Sequence, residues 1–226
     1  MNRLANMIGT ITNTITVILG SLAGLLLRRN ISPEKTNFIT DALGLFTVAI
    51  GIQMSLQTKN PIILVASLLV GTFIGEIADI EHKLERLSEK ISRSSSQSIV
   101  DGMLTAFLTF CVGPMTIVGS IKDGLGDPSI LLAKSVMDGV ASIAFAASLG
   151  IGVLLSSVLV LAFQGSLAVF GALTGTMLPQ KAIAELTASG GVLLIGVGIN
   201  LLKIKKIRVA NMLPTLLFSP LLALYF

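Results

Sequence analysis

The sequence predicts an all-α fold, a polytopic transmembrane helical bundle of about eight spans, and three observations carry that prediction. The chain is 53% hydrophobic and only 12% charged, with a mean hydropathy of +0.89, far more apolar than a soluble domain with its roughly 25% charge. Apolar runs near the ~20 residues that cross a bilayer recur along all 226 residues, leaving no stretch for a separate soluble domain. Segments of the first third also reappear, in the same order, in the last third. The chain is therefore read as one integral membrane domain, 1–226: repeat A at 5–80, an amphipathic helix at 76–93, a central antiparallel pair at 96–148 and repeat B at 151–226.

The spans fall at about 5–27, 37–57, 61–80, 96–121, 130–148, 151–173, 183–202 and 209–226. The positive flank of the first, Arg28-Arg29, follows its apolar region instead of preceding it, so a cleaved signal peptide is not expected. The third runs on into "EIADIEHKLERLSEKISR". There Ile77, Ile80, Leu84, Leu87 and Ile91 make one stripe, with Asp79–Lys83 and Glu89–Arg93 as i,i+4 pairs. This helix is expected to lie against the protein or the headgroups, the other reading being an oligomer contact or gate, and His82 on it is expected to be solvated. "SRSSSQS", 92–98, serves as linker and cap. Pro114 after Gly113 can break the fourth span. In "KDGLGDPS", 122–129, Asp127-Pro128 reads as an N-cap with proline at N1 rather than a cation loop. "SLGIGV", 148–153, must turn or break an apolar run, and Gly150 and Gly152 suit that. With the N-terminus outside, eleven basic residues gather on the inner side against five outside, which favours eight crossings with both termini outside.

"GSLA" at 20–23 recurs at 165–168, and "TDALGLFTVAIGIQ", 40–53, matches "TASGGVLLIGVGIN", 187–200, at nearly the same offset. "LLVGTFIG", 68–75, aligns more weakly with "LLFSPLLA", 216–223. Spans one to three thus match spans six to eight and cross in opposite directions, an inverted-topology repeat. The central spans also resemble each other: "VDGMLTAFLTFCVGP", 100–114, lies over "MDGVASIAFAASLGI", 137–151. That alignment sets Asp101 beside Asp138 across a pseudo-twofold axis, and inverted repeats of this kind point to midplane transport sites.

A carboxylate in hydrocarbon costs about 2.5–3.5 kcal/mol on insertion scales, so Asp138 should face a cavity, a partner or a proton. The structural alternative is that Asp138 pairs with Lys134 one turn back; Asp101 has Gln97 there instead. Gln53 and Asn200, ending spans two and seven, are candidate solute ligands or helix locks. Asp41 and Glu185, near the starts of the same spans, are candidate ligands or caps. Gly190, Gly191 and Gly198 give span seven a smooth face for close packing or an unwound turn. Gln164 is a single amide within span six.

Soluble-enzyme chemistry is absent from the motifs: the lone His82 and lone Cys111 are on different segments, and neither metal-ligand spacing nor a phosphate loop appears. An intramembrane protease using Asp101 and Asp138 finds no other support. The chain is thus expected to be neither an enzyme nor a cofactor or metal protein. Its +4 net charge sits in short loops, as topology demands, so nucleic acid is not an expected partner.

At "GSIKDGLGDPSILLAKSVMDGVASIAFAASLGIGV", "FQGSLA", "ELTASGGVLLIGVGINLLKIKKIRVANMLP" and "SLLVGTFIGEIADIEHKLERL" the sequence resembles the bacterial YdfK/YqgA family of membrane proteins of unknown function. The likeness covers essentially the whole chain. It implies a multi-pass protein of the bacterial cytoplasmic membrane, of a kind often labelled as a transporter, and brings no substrate or catalytic residues.

The reading that results is a transporter of a small solute or ion, a cation or a proton-coupled solute, at a site lined by Asp101 and Asp138 and supported by Gln53 and Asn200. A membrane scaffold or signalling protein acting through 76–93, or a passive channel, is the alternative. The expected partners are the bilayer, the solute and a second copy of the chain.

Overall fold

The computed structural model describes residues 7–29, 32–91, 96–111, 114–174 and 177–225. Gly113 and most of the 92–98 linker lie outside the described residues. In chain order the helices are α1 (Ile8–Arg28), α2 (Pro33–Ser55), α3 (Pro61–Ala78), α4 (Ile80–Ile91), α5 (Ser96–Cys111), α6 (Pro114–Gly124), α7 (Ser129–Leu149), α8 (Ile151–Thr174), α9 (Gln180–Leu201) and α10 (Thr215–Tyr225), with a 3-10 turn at Val209–Met212.

Local chemistry sets the boundaries. Ser32 and Asn60 cap α2 and α3 with their side-chain oxygens, each followed by proline at the first helical position. Before α7, Asp127 accepts from the Ser129 backbone and hydroxyl at 3.1 and 2.6 Å, and these bonds hold its carboxyl below the usual carboxylate range. The expected continuous helix from the third span into 76–93 is instead broken at Asp79, whose left-handed backbone (φ 50°) ends α3. Asp79 then bonds His82 at 3.1 Å, so the histidine expected to be merely solvated has a partner. Ile80 and Leu84 turn α4 onto the chain's own core.

Among the described residues, six helices, α1, α2, α3, α7, α8 and α9, are long and apolar enough to cross a membrane, and the pair α5 and α6, bent by 69°, makes a seventh candidate. Val209–Tyr225 is apolar but shorter, so helix length alone supports six or seven of the eight expected crossings. The apolar run around 148–153 is two helices, because Gly150 (φ 78°, ψ −150°) reverses the chain in a conformation open only to glycine.

Close approaches between backbones give the register. Gly9, Gly20 and Gly24 of α1 meet Leu131, Gly139 and Ile143 of α7, so these helices run parallel. Gly165 of α8 meets Met7 while Gly150 meets Arg28, so α8 runs antiparallel to α1. Gly51 meets Gly191 and Gly44 meets Leu202, an antiparallel α2–α9 pair; Gly71 and Gly75 of α3 meet Thr215 and Asn211, antiparallel to α10. Side chains at Gly51 or Gly191 would collide with facing backbone, which is why these helices close without a bulky seam.

The core centres on α5 and α9, whose Leu104, Leu108, Phe110, Leu193 and Leu194 are fully enclosed. Phe110 stacks on Phe145 of α7 and Phe107 meets Phe163 of α8 edge-on, at centroid distances of 5.6 and 5.8 Å. Cys111 is buried in the same core. Most outward residues of α3, among them Ile62, Leu69, Phe73 and Ile77, are exposed and apolar, as a lipid-facing helix requires.

Candidate functional site

Two polar sites lie within the bundle. The first is at the end where α5 begins and α9 finishes. Asp101, the sixth residue of α5, accepts from Gln97 Nε2 one turn back at 3.1 Å and from Asn200 Nδ2 at 3.0 Å. Asn200 also donates to the Ile207 carbonyl and accepts from the Ile207 N–H, at 2.9 and 2.8 Å, pinning the loop after α9 to the same carboxylate. Around this group opens a cleft of about 370 Å³ with Arg28, Thr40, Ser98 and Lys203 in its wall. A neighbouring recess of about 230 Å³ shares Gln97, Asp101 and Asn200 and adds Lys205 and Lys206. Arg28 is anchored through a hydrogen bond to the Ser148 carbonyl. Gln97 Oε1 and Ser148 Oγ are buried with no hydrogen-bond partner among the described residues.

The second site is in the middle of α7. Asp138, tenth of its 21 residues, receives both hydrogen bonds of a bidentate contact from Lys134 Nζ, at 2.6 and 2.7 Å, and a third from Asn13 Nδ2 of α1 at 3.0 Å. All three side chains are buried, and Asn13 Oδ1 has no partner. Taking two charges out of water costs several kcal/mol per ion, and this geometry offsets that by pairing the charges and filling the carboxylate with donors. The Lys134 partner is the structural alternative the sequence left open for Asp138.

The expected juxtaposition of Asp101 with Asp138 does not occur. Gly102 packs on Leu149, so Asp101 lies level with the end of α7. Eleven residues, about 16 Å at a 1.5 Å rise, separate that level from Asp138. Gln53 is also absent from the first site: it is exposed on α2, while Asn200 occupies the cleft. Asp41 is exposed two turns inside α2 and does not cap it. Gly190 is buried, and Gly191 and Gly198 close α9 onto α2 within an unbroken helix, so no unwound turn exists there. Pro114 opens α6 after the bend.

Glu185 is a clamp rather than a cap of its own helix. Fully buried in α9, it accepts from Thr58 Oγ1, Lys59 N and Asn60 N at 2.8, 2.6 and 2.9 Å, fixing the turn between α2 and α3. Two further buried acids act alike, and sequence reasoning missed both. Asp123 at the end of α6 accepts from Gly9 N and from Thr10 N and Oγ1, completing the start of α1. Glu81 accepts from Ala210 N at 3.0 Å, while Asn211 Oδ1 accepts from Glu81 N at 2.8 Å. Asp123 falls in the segment read as a turn and Glu81 on the amphipathic helix; their backbone partners, more than 110 residues away, leave no local signal.

The chain matches the family described as "Protein of unknown function (DUF554)" over residues 8–224. It is 34% identical to the "Uncharacterized membrane protein YdfK" of Bacillus subtilis (strain 168) over 219 residues, covering 95% of this chain and 94% of that protein. It is 33% identical to the "Uncharacterized protein YqgA" of Escherichia coli (strain K12) over 223 residues, covering 94% of each. No solved structure matches. With all but the last residue of its helical bundle inside the matched region and several helices fit to cross a bilayer, this chain is a multi-pass membrane protein and belongs to the DUF554 family.

Proposed function

We propose that the protein is a transporter of a small solute, driven by protons, in a bacterial cytoplasmic membrane. The observation that carries this reading is the Lys134–Asp138–Asn13 group, buried halfway along α7 where a purely structural helix would hold apolar residues. A proton reaching Asp138 removes the charge that holds both Lys134 and Asn13. The contact between α7 and α1 loosens, and the polar interior becomes free to face the other side. The cleft at Asp101 is the entry for solute in the state described here.

The pairing of helices supports the inverted repeat on which such alternation depends. α1 packs parallel to α7, while α2–α9 and α3–α10 are antiparallel pairs, and an axis lying in the membrane plane exchanges the partners of each antiparallel pair. The face carrying Arg28, Lys203, Lys205, Lys206 and Arg208 is the cytoplasmic one by the positive-inside rule, which puts both chain ends outside and opens the cleft to the cytoplasm. A scaffold acting through 76–93 has less support, because Ile80, Leu84 and Glu81 of that helix are already used within the chain.

The test is solute uptake into proteoliposomes under an imposed pH gradient, with internal acidification followed by a dye. Wild type should carry protons only when a transported solute is present, and a Lys134→Met/Asp138→Leu double variant should carry none. Equal proton flux in the double variant overturns the reading.

A further inference from the structure

We infer that the cleft at Asp101 binds a small organic carboxylate, an anion or a zwitterion, carrying a hydroxyl or ammonium donor beside the carboxylate. This deepens the transport reading by naming its substrate class, and rests on that reading for its purpose.

Charge comes first. Arg28, Lys203 and Lys205 line the cleft and its neighbouring recess against Asp101, which already accepts from two amides, and the buried Glu81 carboxylate 3.4 Å from Gln97 Nε2 leaves the balance positive. A free metal cation or ammonium ion entering there meets net repulsion, whereas a carboxylate meets convergent donors. Arg28 is held in place by its bond to the Ser148 carbonyl, so part of its fork is positioned before any ligand arrives.

The basic residues of this face also serve topology, but topology asks only for charge near the helix ends. Lys203 is more than that. Its N–H bonds the Asn200 carbonyl at 2.9 Å and the next N–H bonds the Ile199 carbonyl at 3.2 Å, a Schellman ending whose left-handed position normally belongs to glycine. Lys203 occupies that position at φ 56°. Long side chains are rarely placed in such a conformation unless the side chain is needed where it points, here the cleft wall.

The donor on the ligand follows from the acceptors left over. Gln97 Oε1 and Ser148 Oγ lie at the same cleft, buried and without a partner among the described residues. A plain carboxylate can accept from the Ser148 hydroxyl but leaves Gln97 Oε1 wanting a hydrogen; a hydroxyl or ammonium next to the carboxylate supplies it. The volume of about 370 Å³ suits a solute of a few heavy atoms with its water.

The experiment is thermal unfolding of the detergent-purified full chain, at fixed pH and ionic strength, with acetate, lactate, alanine, potassium, magnesium or phosphatidylglycerol added, for wild type and Lys203→Gly. A ligand of the native state raises the melting temperature by mass action. Lactate or alanine should raise that of wild type by several degrees, acetate by less and the cations not at all. Lys203→Gly should melt no lower than wild type, since glycine suits the left-handed position, and should lose the shift. A shift retained by Lys203→Gly, a shift from cations alone, or one from phosphatidylglycerol alone overturns the proposal, the last making the cleft a headgroup site. The two readings fail separately. Carboxylate binding without uptake into proteoliposomes removes the transport reading and keeps this site. Proton-coupled uptake of another solute, with no shift from any carboxylate, removes this site and keeps transport.

Discussion

Asn200 ties Asp101 of α5 to the loop that leaves α9: one amide bonds the carboxylate at 3.0 Å while its two functional atoms close on both backbone groups of Ile207. The amide is thus shared between the cleft and the strip of chain carrying Lys203, Lys205 and Lys206. Asn200→Ala should free the Ile207 N–H, and hydrogen exchange there should accelerate at least tenfold, with a stability loss of about 1–3 kcal/mol from the unpaired groups. Unchanged exchange at Ile207 would show that the loop holds itself.

The buried pair in α7 predicts a non-additive stability pattern. Asp138→Asn alone leaves Lys134 buried beside an amide and should cost about 3–5 kcal/mol, whereas Lys134→Met/Asp138→Leu should recover most of that loss. Denaturation in detergent of wild type, Lys134→Met, Asp138→Leu and the double variant gives the coupling energy. Additive effects would mean that the two side chains do not depend on each other.

Glu185 anchors the α2–α3 turn through two backbone N–H groups and a hydroxyl. Glu185→Gln removes the charge from these bonds and reverses the Thr58 contact, the amide N–H donating to a hydroxyl that formerly donated. It should cost about 1.5–3 kcal/mol and expose the 56–60 segment to protease. Wild-type resistance in that segment would contradict the clamp.

Gly150 reverses the chain between α7 and α8 at φ 78° and ψ −150°. Gly150→Ala should therefore destabilise by about 1–3 kcal/mol, with no change expected from Gly165→Ala, whose added carbon meets only the end of Met7. Melting temperatures of the pair settle the comparison.

Hydropathy made α1, α2, α3, α7, α8 and α9 legible, because a twenty-residue apolar run is a one-dimensional signal. The site was less so, and helix direction explains why. Gln53 and Asn200 hold equivalent places near the C-terminal ends of α2 and α9, but these helices are antiparallel, so such ends fall toward opposite sides of the bundle. Asp101 and Asp138 align in sequence, yet one is the sixth residue of its helix and the other the tenth, and their helices run past each other. Similarity between two stretches of sequence does not fix the axial register of the helices they form. The Asp138–Lys134 pair was readable because i,i+4 spacing is local. The bonds of Asp123, Glu81 and Glu185 were not, since each joins a carboxylate to backbone amides far away in the chain.

Those distant carboxylates also set a timetable for biogenesis. Thr10 emerges from the ribosome 113 residues before Asp123, the acid that satisfies its amide. Asn60 precedes Glu185 by 125 residues, and the Glu81 carboxylate waits through 129 more for Ala210. Early segments thus enter the bilayer with their starting amides incomplete and depend on interfacial water or the insertion machinery until later helices arrive. The contacts of Glu185 and Glu81 close only when α9 and the turn at Val209–Met212 dock and supply or receive those bonds.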